Sequence, residues 1–235
     1  SVYAAYKADQ TSDQPTIGTS YQAVYRKLGR INPTVSEAVV RPNAHCCRQL
    51  LALMPAARAE PLAGYRMRVL DGNVLAGTAH RLTPLRRWLN ACLPGKSLVV
   101  YEPGSALVTD VVLCEDAYTQ ERALLTHLLP RAQANDLFLA DRNFCTTRFV
   151  FGLQRRRAYV LVRQHRRTLP CRPLSKLRLC GHTATGVVYA QEVEALDPET
   201  NKPLRLRRLE VRLFEKTRDG ERIIALLTNL PKQVS

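Results

Sequence analysis

The chain has no apolar run near the roughly 18 residues of a membrane-spanning helix, so no helical span is expected. No charged start followed by an apolar stretch opens it, so nothing reads as a secretory leader and a cytoplasmic location is expected. Its seven cysteines, Cys46, Cys47, Cys92, Cys114, Cys145, Cys171 and Cys180, contain no C-x-x-C pair. Cys171, Cys180 and His182 come nearest to a zinc half-site, but the spacing is wrong and no second pair follows. All seven are expected to be reduced thiols, mostly small core fillers. The most informative absence is of acids. Residues 142–182 hold eleven basic side chains and no Asp or Glu. Residues 65–141, by contrast, balance eight against eight.

That one segment supplies most of the net charge of +15. A concentrated basic excess suits a polyanion, because each Lys or Arg near a phosphate releases condensed counterions. The plainer alternative is a solvated basic surface.

Periodicity divides the chain into three. Residues 1–64 read as short helices: one capped by Thr19-Ser20 through Val24, Tyr25 and Leu28, one after Asn32-Pro33, and a third after Pro42-Asn43. They could form a helix-turn-helix-like DNA contact or simply pack. Residues 65–164 read as strand, hairpin, helix, strand, helix, strand. The first strand, Met67 to Leu70, is expected to end at the turn signal Asp71-Gly72-Asn73. A helix from about Thr83 carries Leu85, Trp88, Leu89 and Cys92. The hairpin pairs Leu98–Tyr101 with Ala106–Cys114. A helix over Thr119–Leu129 turns Leu124, Leu125, Leu128 and Leu129 inward and Gln120, Glu121 and Arg122 outward. Leu137–Ala140 is a short apolar strand, followed by a helix over Thr146–Gln154 and a strand over Ala158–Arg163. Residues 165–235 read as a β-rich subdomain with strands at Gly186–Val193, Leu206–Phe214 and Ile223–Thr228. The expected class is α/β, a mixed sheet flanked by helices.

Asp71 and Asp141 each follow an apolar strand directly. Loops at the carboxyl ends of α/β strands gather on one edge, so neighbouring strands would bring the two carboxylates together. Such oxygens suit Mg²⁺ or Mn²⁺. Two ions about 4 Å apart can activate a nucleophile and stabilise the leaving oxygen of a phosphodiester. The competing reading is that both are ordinary turn residues.

Val69-Leu70-Asp71-Gly72-Asn73, then His80-Arg81-Leu82 and Leu85-Arg86, then Leu139-Ala140-Asp141-Arg142-Asn143-Phe144-Cys145 resemble the insertion-sequence transposases with a DDE triad and a Tyr-Arg-Glu-Lys signature. The resemblance runs from about Ser20 to the end. It implies a ribonuclease H-like catalytic core interrupted after its fifth strand by a β-rich insertion. It also implies metal-dependent DNA cleavage and strand transfer, double-stranded DNA as partner, and a homodimer on DNA. Asp71 and Asp141 would be catalytic ligands of Mg²⁺ or Mn²⁺. The family's third ligand is a Glu on a helix after the insertion. No Tyr-x-x-Arg-x-x-x-Glu run follows the β-rich region here, so that ligand is expected beyond Ser235.

The insertion can also stack an aromatic on a flipped base. The single Trp88 lies far from it, and Tyr189 and Phe214 are expected in the core. Arg155, Arg156, Arg157, Arg163, Arg166 and Arg167 flank the fifth strand and are expected to contact phosphates near the active-site edge. Arg142 could do so or pair with an acid. His80 and His165 have no partner pattern for acid–base work. The alternatives are a degenerate, non-catalytic DNA-binding remnant, or another nuclease on the same core.

Overall fold

The computed structural model describes residues 20, 22–23, 34–54, 60–75, 95–114 and 119–233. The expected helix through Val24, Tyr25 and Leu28 falls largely outside these residues, as does the one from Thr83. Among them is one ten-stranded sheet with three α-helices. The class is α/β.

Helix α1, Thr34–Ala52, replaces the two short helices expected there, and Pro42 lies inside it. A helix proline removes one hydrogen bond and crowds the preceding turn. Polar ties on both sides of Pro42 hold the helix along the outer edge of the sheet. Leu113 donates its N–H to Glu37 Oε1 at 2.7 Å. Arg41 pairs with Asp110 at 3.4 Å. Arg48 grips Glu102 with two nitrogens, at 3.0 and 2.7 Å. The apolar residues expected to pack are instead outside: Val39 is 59% and Leu53 83% exposed. The helix thus covers a strand edge that would otherwise offer free pairing groups.

The strands are β1 (Arg66–Leu75), β2 (Gly95–Glu102), β3 (Leu107–Cys114), β4 (Asp136–Ala140) and β5 (Tyr159–Arg163). There follow β6 (Arg172–Pro173), β7 (Arg178–Thr183), β8 (Gly186–Leu196), β9 (Pro203–Leu213) and β10 (Ile223–Thr228). Their spatial order is β3-β2-β1-β4-β5-β10-β9-β8-β6, with β7 also on β8. The β1–β4 and β4–β5 pairs are parallel, and every other pair is antiparallel. The β-rich region is therefore not a separate sheet. Its last strand, β10, pairs with β5 through Leu227↔Val162, which satisfies an edge that β5 would otherwise expose.

Helices α2 (Glu121–Leu128) and α3 (Thr147–Arg155) cover one face of the sheet. Leu124, Leu125 and Leu128 of α2 are buried against Leu70, Leu98 and Val100, each contributing about 1.5–3 kcal/mol. Phe149 of α3 meets Phe138 of β4 edge-on at 5.8 Å. A Cβ on Gly152 would come within 2.8 Å of the Leu129 methyls, so only glycine lets α3 approach the 3₁₀ turn after α2 this closely. Thr146 caps α3 by accepting from the Phe149 N–H at 3.3 Å. The opposite face carries Met67, Val69, Leu139, Leu161 and Leu226, all only half-buried.

Asp136, with no exposed surface, fastens β1 to β4 at the start of their pairing. Arg66 Nε donates to it at 2.6 Å and the Gln133 N–H at 2.9 Å, and Arg68 Nε lies at 3.0 Å. On β9, Arg208, Glu210 and Arg212 build an ion ladder. Glu210 is only 7% exposed and is held by Arg208 at 2.8 Å and Arg212 at 2.9 Å. Burial alone would raise its carboxyl; the hydrogen bonds from Arg212 and Arg208 outweigh that and hold it below the usual range.

Candidate functional site

Asp71 is not a turn residue. It lies within β1, paired with Val99 of β2. The Asp-Gly-Asn turn signal is overridden because β2 continues alongside as far as Leu75↔Gly95. The pairing of β1 with β4, however, ends at Leu70↔Ala140. Asp71 and Asp141 are each one residue beyond that last parallel pair. Asp141 leaves β4 in extended conformation, φ −75° and ψ 171°, before the 3₁₀ turn Arg142–Phe144. Strand alternation puts both side chains on the face away from α2 and α3. Both are exposed. Neither carboxylate has a hydrogen-bond or ion-pair partner among the described residues, so both pairs of oxygens stay available for a hard cation. Among the described residues no three of His, Cys, Asp and Glu converge on a point.

One carboxylate here, expected to face solvent, is only half-exposed. A Cβ built on Gly72 would meet Glu121 Cδ and Oε2 at 2.5 Å. The first residue of α2 thus rests its carboxylate on the residue after Asp71. A cleft of about 380 Å³ opens beside it, lined by Lys96, Gln120, Glu121, Arg122 and Asn143. Helical spacing marks Glu121 as outward; only the missing Gly72 side chain hints at a neighbour.

The basic residues divide between two edges. Arg142 follows Asp141, and Arg163 ends β5, so both stand at the carboxylate edge. Each is ion-paired to Glu221, from the turn between β9 and β10, Arg142 at 2.7 Å. Arg166 and Arg167 follow on the same edge, exposed and free of ion pairs among the described residues. Arg148, not singled out from sequence, sits exposed in the first turn of α3, whose start is tied to this turn by Thr147 N–H to Thr168 O at 3.2 Å.

Arg155, Arg156 and Arg157 are displaced from the expected position. Helix α3 runs back along the strands, and the Asn135 N–H donates to Arg157 O at 3.0 Å, at the start of β4. They stand about 20 Å of strand away from Asp141. Arg155 pairs with Asp197 at 3.1 Å, and Arg156 caps α3 through Gly152 O at 3.2 Å.

The thiols near the site are inert. Burial pushes Cys145 up to about 11, against a smaller lowering by a backbone hydrogen bond from His165. Burial, then the neighbouring Cys145, pushes Cys171 up to about 11, against Arg208. Neither offers a thiolate at neutral pH. Of the six cysteines among the described residues only Cys145 is a fully buried core filler. His165 Nδ1 accepts from the Thr168 N–H at 3.3 Å, a local turn contact. The Tyr189 ring is covered by the Arg212 guanidinium at 4.4 Å. Phe214, expected in the core, is 60% exposed. No described helix is long and apolar enough to cross a membrane.

No protein-family model matches the chain, and no curated protein is similar to it.

Proposed function

We propose that the chain acts as a metal-dependent DNA transposase that cleaves and joins strands at insertion-sequence ends, on a ribonuclease H-like core. The observation that carries the reading is the placement of Asp71 and Asp141. Each aspartate is exposed, without an ion-pair partner among the described residues, and one residue past the point where the parallel pairing of β1 and β4 ends. The strand order β3-β2-β1-β4-β5, antiparallel in the first two pairs and parallel in the next two, supports the ribonuclease H-like assignment. The motif resemblance around both aspartates supports the transposase assignment.

Asp71 and Asp141 would hold Mg²⁺ or Mn²⁺, which supplies charge stabilisation and a more acidic bound water for phosphodiester displacement. The protein's own part is positional. Register fixes the two carboxylates on adjacent strands, and Arg166 and Arg167 hold phosphates on the same edge. Double-stranded DNA is the partner, bound by a homodimer if two ends are joined together. The alternative is a basic DNA-binding remnant without activity; it rests on there being no third converging acid among the described residues.

The test is Mn²⁺ binding followed by electron paramagnetic resonance, together with cleavage of end-containing plasmid by the gene product that contains these residues. Asp71→Asn and Asp141→Asn should each weaken Mn²⁺ binding and abolish cleavage while leaving DNA binding intact. Unchanged Mn²⁺ binding and cleavage in either variant removes that residue from the site.

A further inference from the structure

Arg142 and Arg163 do not reach solvent as free cations; they converge on one acid. Arg142 Nη2 meets Glu221 Oε1 at 2.7 Å, and Arg163 Nη2 pairs with the other oxygen, Oε2. Glu221 arrives from 58 residues beyond Arg163 on a stiff turn. The Thr217 N–H donates to Glu221 O at 2.8 Å, the Glu221 N–H to Thr217 Oγ1 at 3.1 Å, and the Gly220 N–H to Thr217 O at 2.8 Å. Gly220 has φ +81°, which glycine adopts freely.

We propose that Arg142 and Arg163 form one phosphate-binding notch beside Asp141, which Glu221 holds closed until a nucleic-acid phosphate displaces it. The inference rests on the reading of this edge as DNA-facing. A phosphodiester offers two non-bridging oxygens to paired guanidiniums, as the Glu221 carboxylate does now. The three side chains are 42%, 26% and 32% exposed, for Arg142, Arg163 and Glu221. An ion pair so open to water contributes little net stability, so exchange of one anion for another costs little. The contrast is Arg68, 12% exposed and bound to an Asp136 with no exposure at all, where no outside anion can enter. With Glu221 in place the notch has one net positive charge; without it, two.

The experiment uses Glu221→Gln, which keeps the shape and removes the charge. A labelled duplex of about 30 base pairs is titrated by fluorescence anisotropy between 50 and 200 mM salt, with circular dichroism checking the fold. The variant should bind more tightly at low salt. Both proteins make the two phosphate contacts once bound, so their salt slopes should stay alike, while Arg142→Ala/Arg163→Ala should lower the slope by about 1.8. Adding Arg142→Ala and Arg163→Ala should erase the gain. Wild-type binding that weakens in Arg166→Gln/Arg167→Gln yet is unmoved, or weakened, by Glu221→Gln overturns the notch while leaving the DNA-facing edge standing. Binding indifferent to all of these residues overturns both.

Discussion

Replacing Asp136 by alanine removes the carboxylate that fastens β1 to β4. Arg68, with its side chain only 12% exposed, would keep its charge inside the protein without an anion, holding only Thr109 Oγ1 at 3.1 Å. Breaking a buried pair from one side costs about 3–5 kcal/mol. Arg66 is 30% exposed and can turn to water, which softens the loss. The Gln133 N–H would lose a charged acceptor, a further cost of about 1–3 kcal/mol if water does not replace it. The expected loss is therefore about 4 kcal/mol, and about 2 kcal/mol for Asp136→Asn, which keeps one acceptor oxygen. For a chain of this size about 4 kcal/mol lowers the melting temperature by about 8–16 °C. Urea unfolding followed by far-UV circular dichroism measures it, with the slope held against the wild type. A loss under about 1 kcal/mol for the alanine variant would mean that both guanidiniums find water, and the reasoning fails. The same pairing ends at Leu70↔Ala140, one residue short of the two carboxylates. Fraying at Asp136 should therefore also weaken Mn²⁺ binding in the variant at temperatures where it is still folded.

Gly72→Ala would drive the Glu121 carboxylate off β1, since the new methyl lies 2.5 Å from it. The obstacle is the end of a flexible side chain, so stability should change by no more than about 1 kcal/mol; a loss above about 2 kcal/mol by urea denaturation refutes this. Arg166→Gln/Arg167→Gln should reduce the salt slope of DNA binding by about 1.8, and Arg155→Gln/Arg157→Gln by much less; the reverse order places DNA on the other edge. Cys145 stays protonated in the fold up to about 11, whereas the unfolded thiol ionises from 9.0. Its contribution is complete below pH 9 and falls as the unfolded state alone loses the proton. The stability difference between wild type and Cys145→Ala should therefore shift by about 2 kcal/mol against the wild type from pH 9 to 11. A flat difference in chemical denaturation refutes it.

Most strands were legible because each is a compact apolar or alternating run. Leu137–Ala140 reads as a short apolar strand and becomes β4, with helices on one face only; Ile223–Thr228 becomes β10 with the expected bounds. What was not legible depends on partners far away in the chain. Asp71-Gly72-Asn73 carries turn residues, yet β2 pairs with it and keeps it extended. Pro42-Asn43 looks like a helix start, yet α1 runs through, tied to β3 and β2 by Glu37, Arg41 and Arg48. The β-rich region alternates like an independent subdomain, but nothing in its own residues says that β5 lacks a neighbour. The carboxylate pair was inferred from the idea that both acids open loops. The register instead leaves Asp71 inside β1 and Asp141 at the end of β4, each one residue past the last β1–β4 pair, Leu70↔Ala140.

Charge placement changes most between sequence and fold. Residues 142–182 contain no acid, so all eleven bases look available. In the fold, acids from the following segment return to them: Glu221 to Arg142 and Arg163, Asp197 to Arg155, and Glu194 to Arg172. These pairs leave the net charge of +15 unchanged but redistribute the field. At the far edge Arg155 is neutralised locally. At the carboxylate edge Arg148, Arg166 and Arg167 remain unpaired and exposed, beside two aspartates that would repel a phosphate on their own. A polyanion approaching that edge meets the cations first and is drawn toward carboxylates it would otherwise avoid. A divalent cation held by Asp71 and Asp141 would then reverse the sign of the remaining repulsion. On this account DNA affinity for the carboxylate edge should rise with Mg²⁺ in the wild type and lose that dependence in Asp71→Asn/Asp141→Asn.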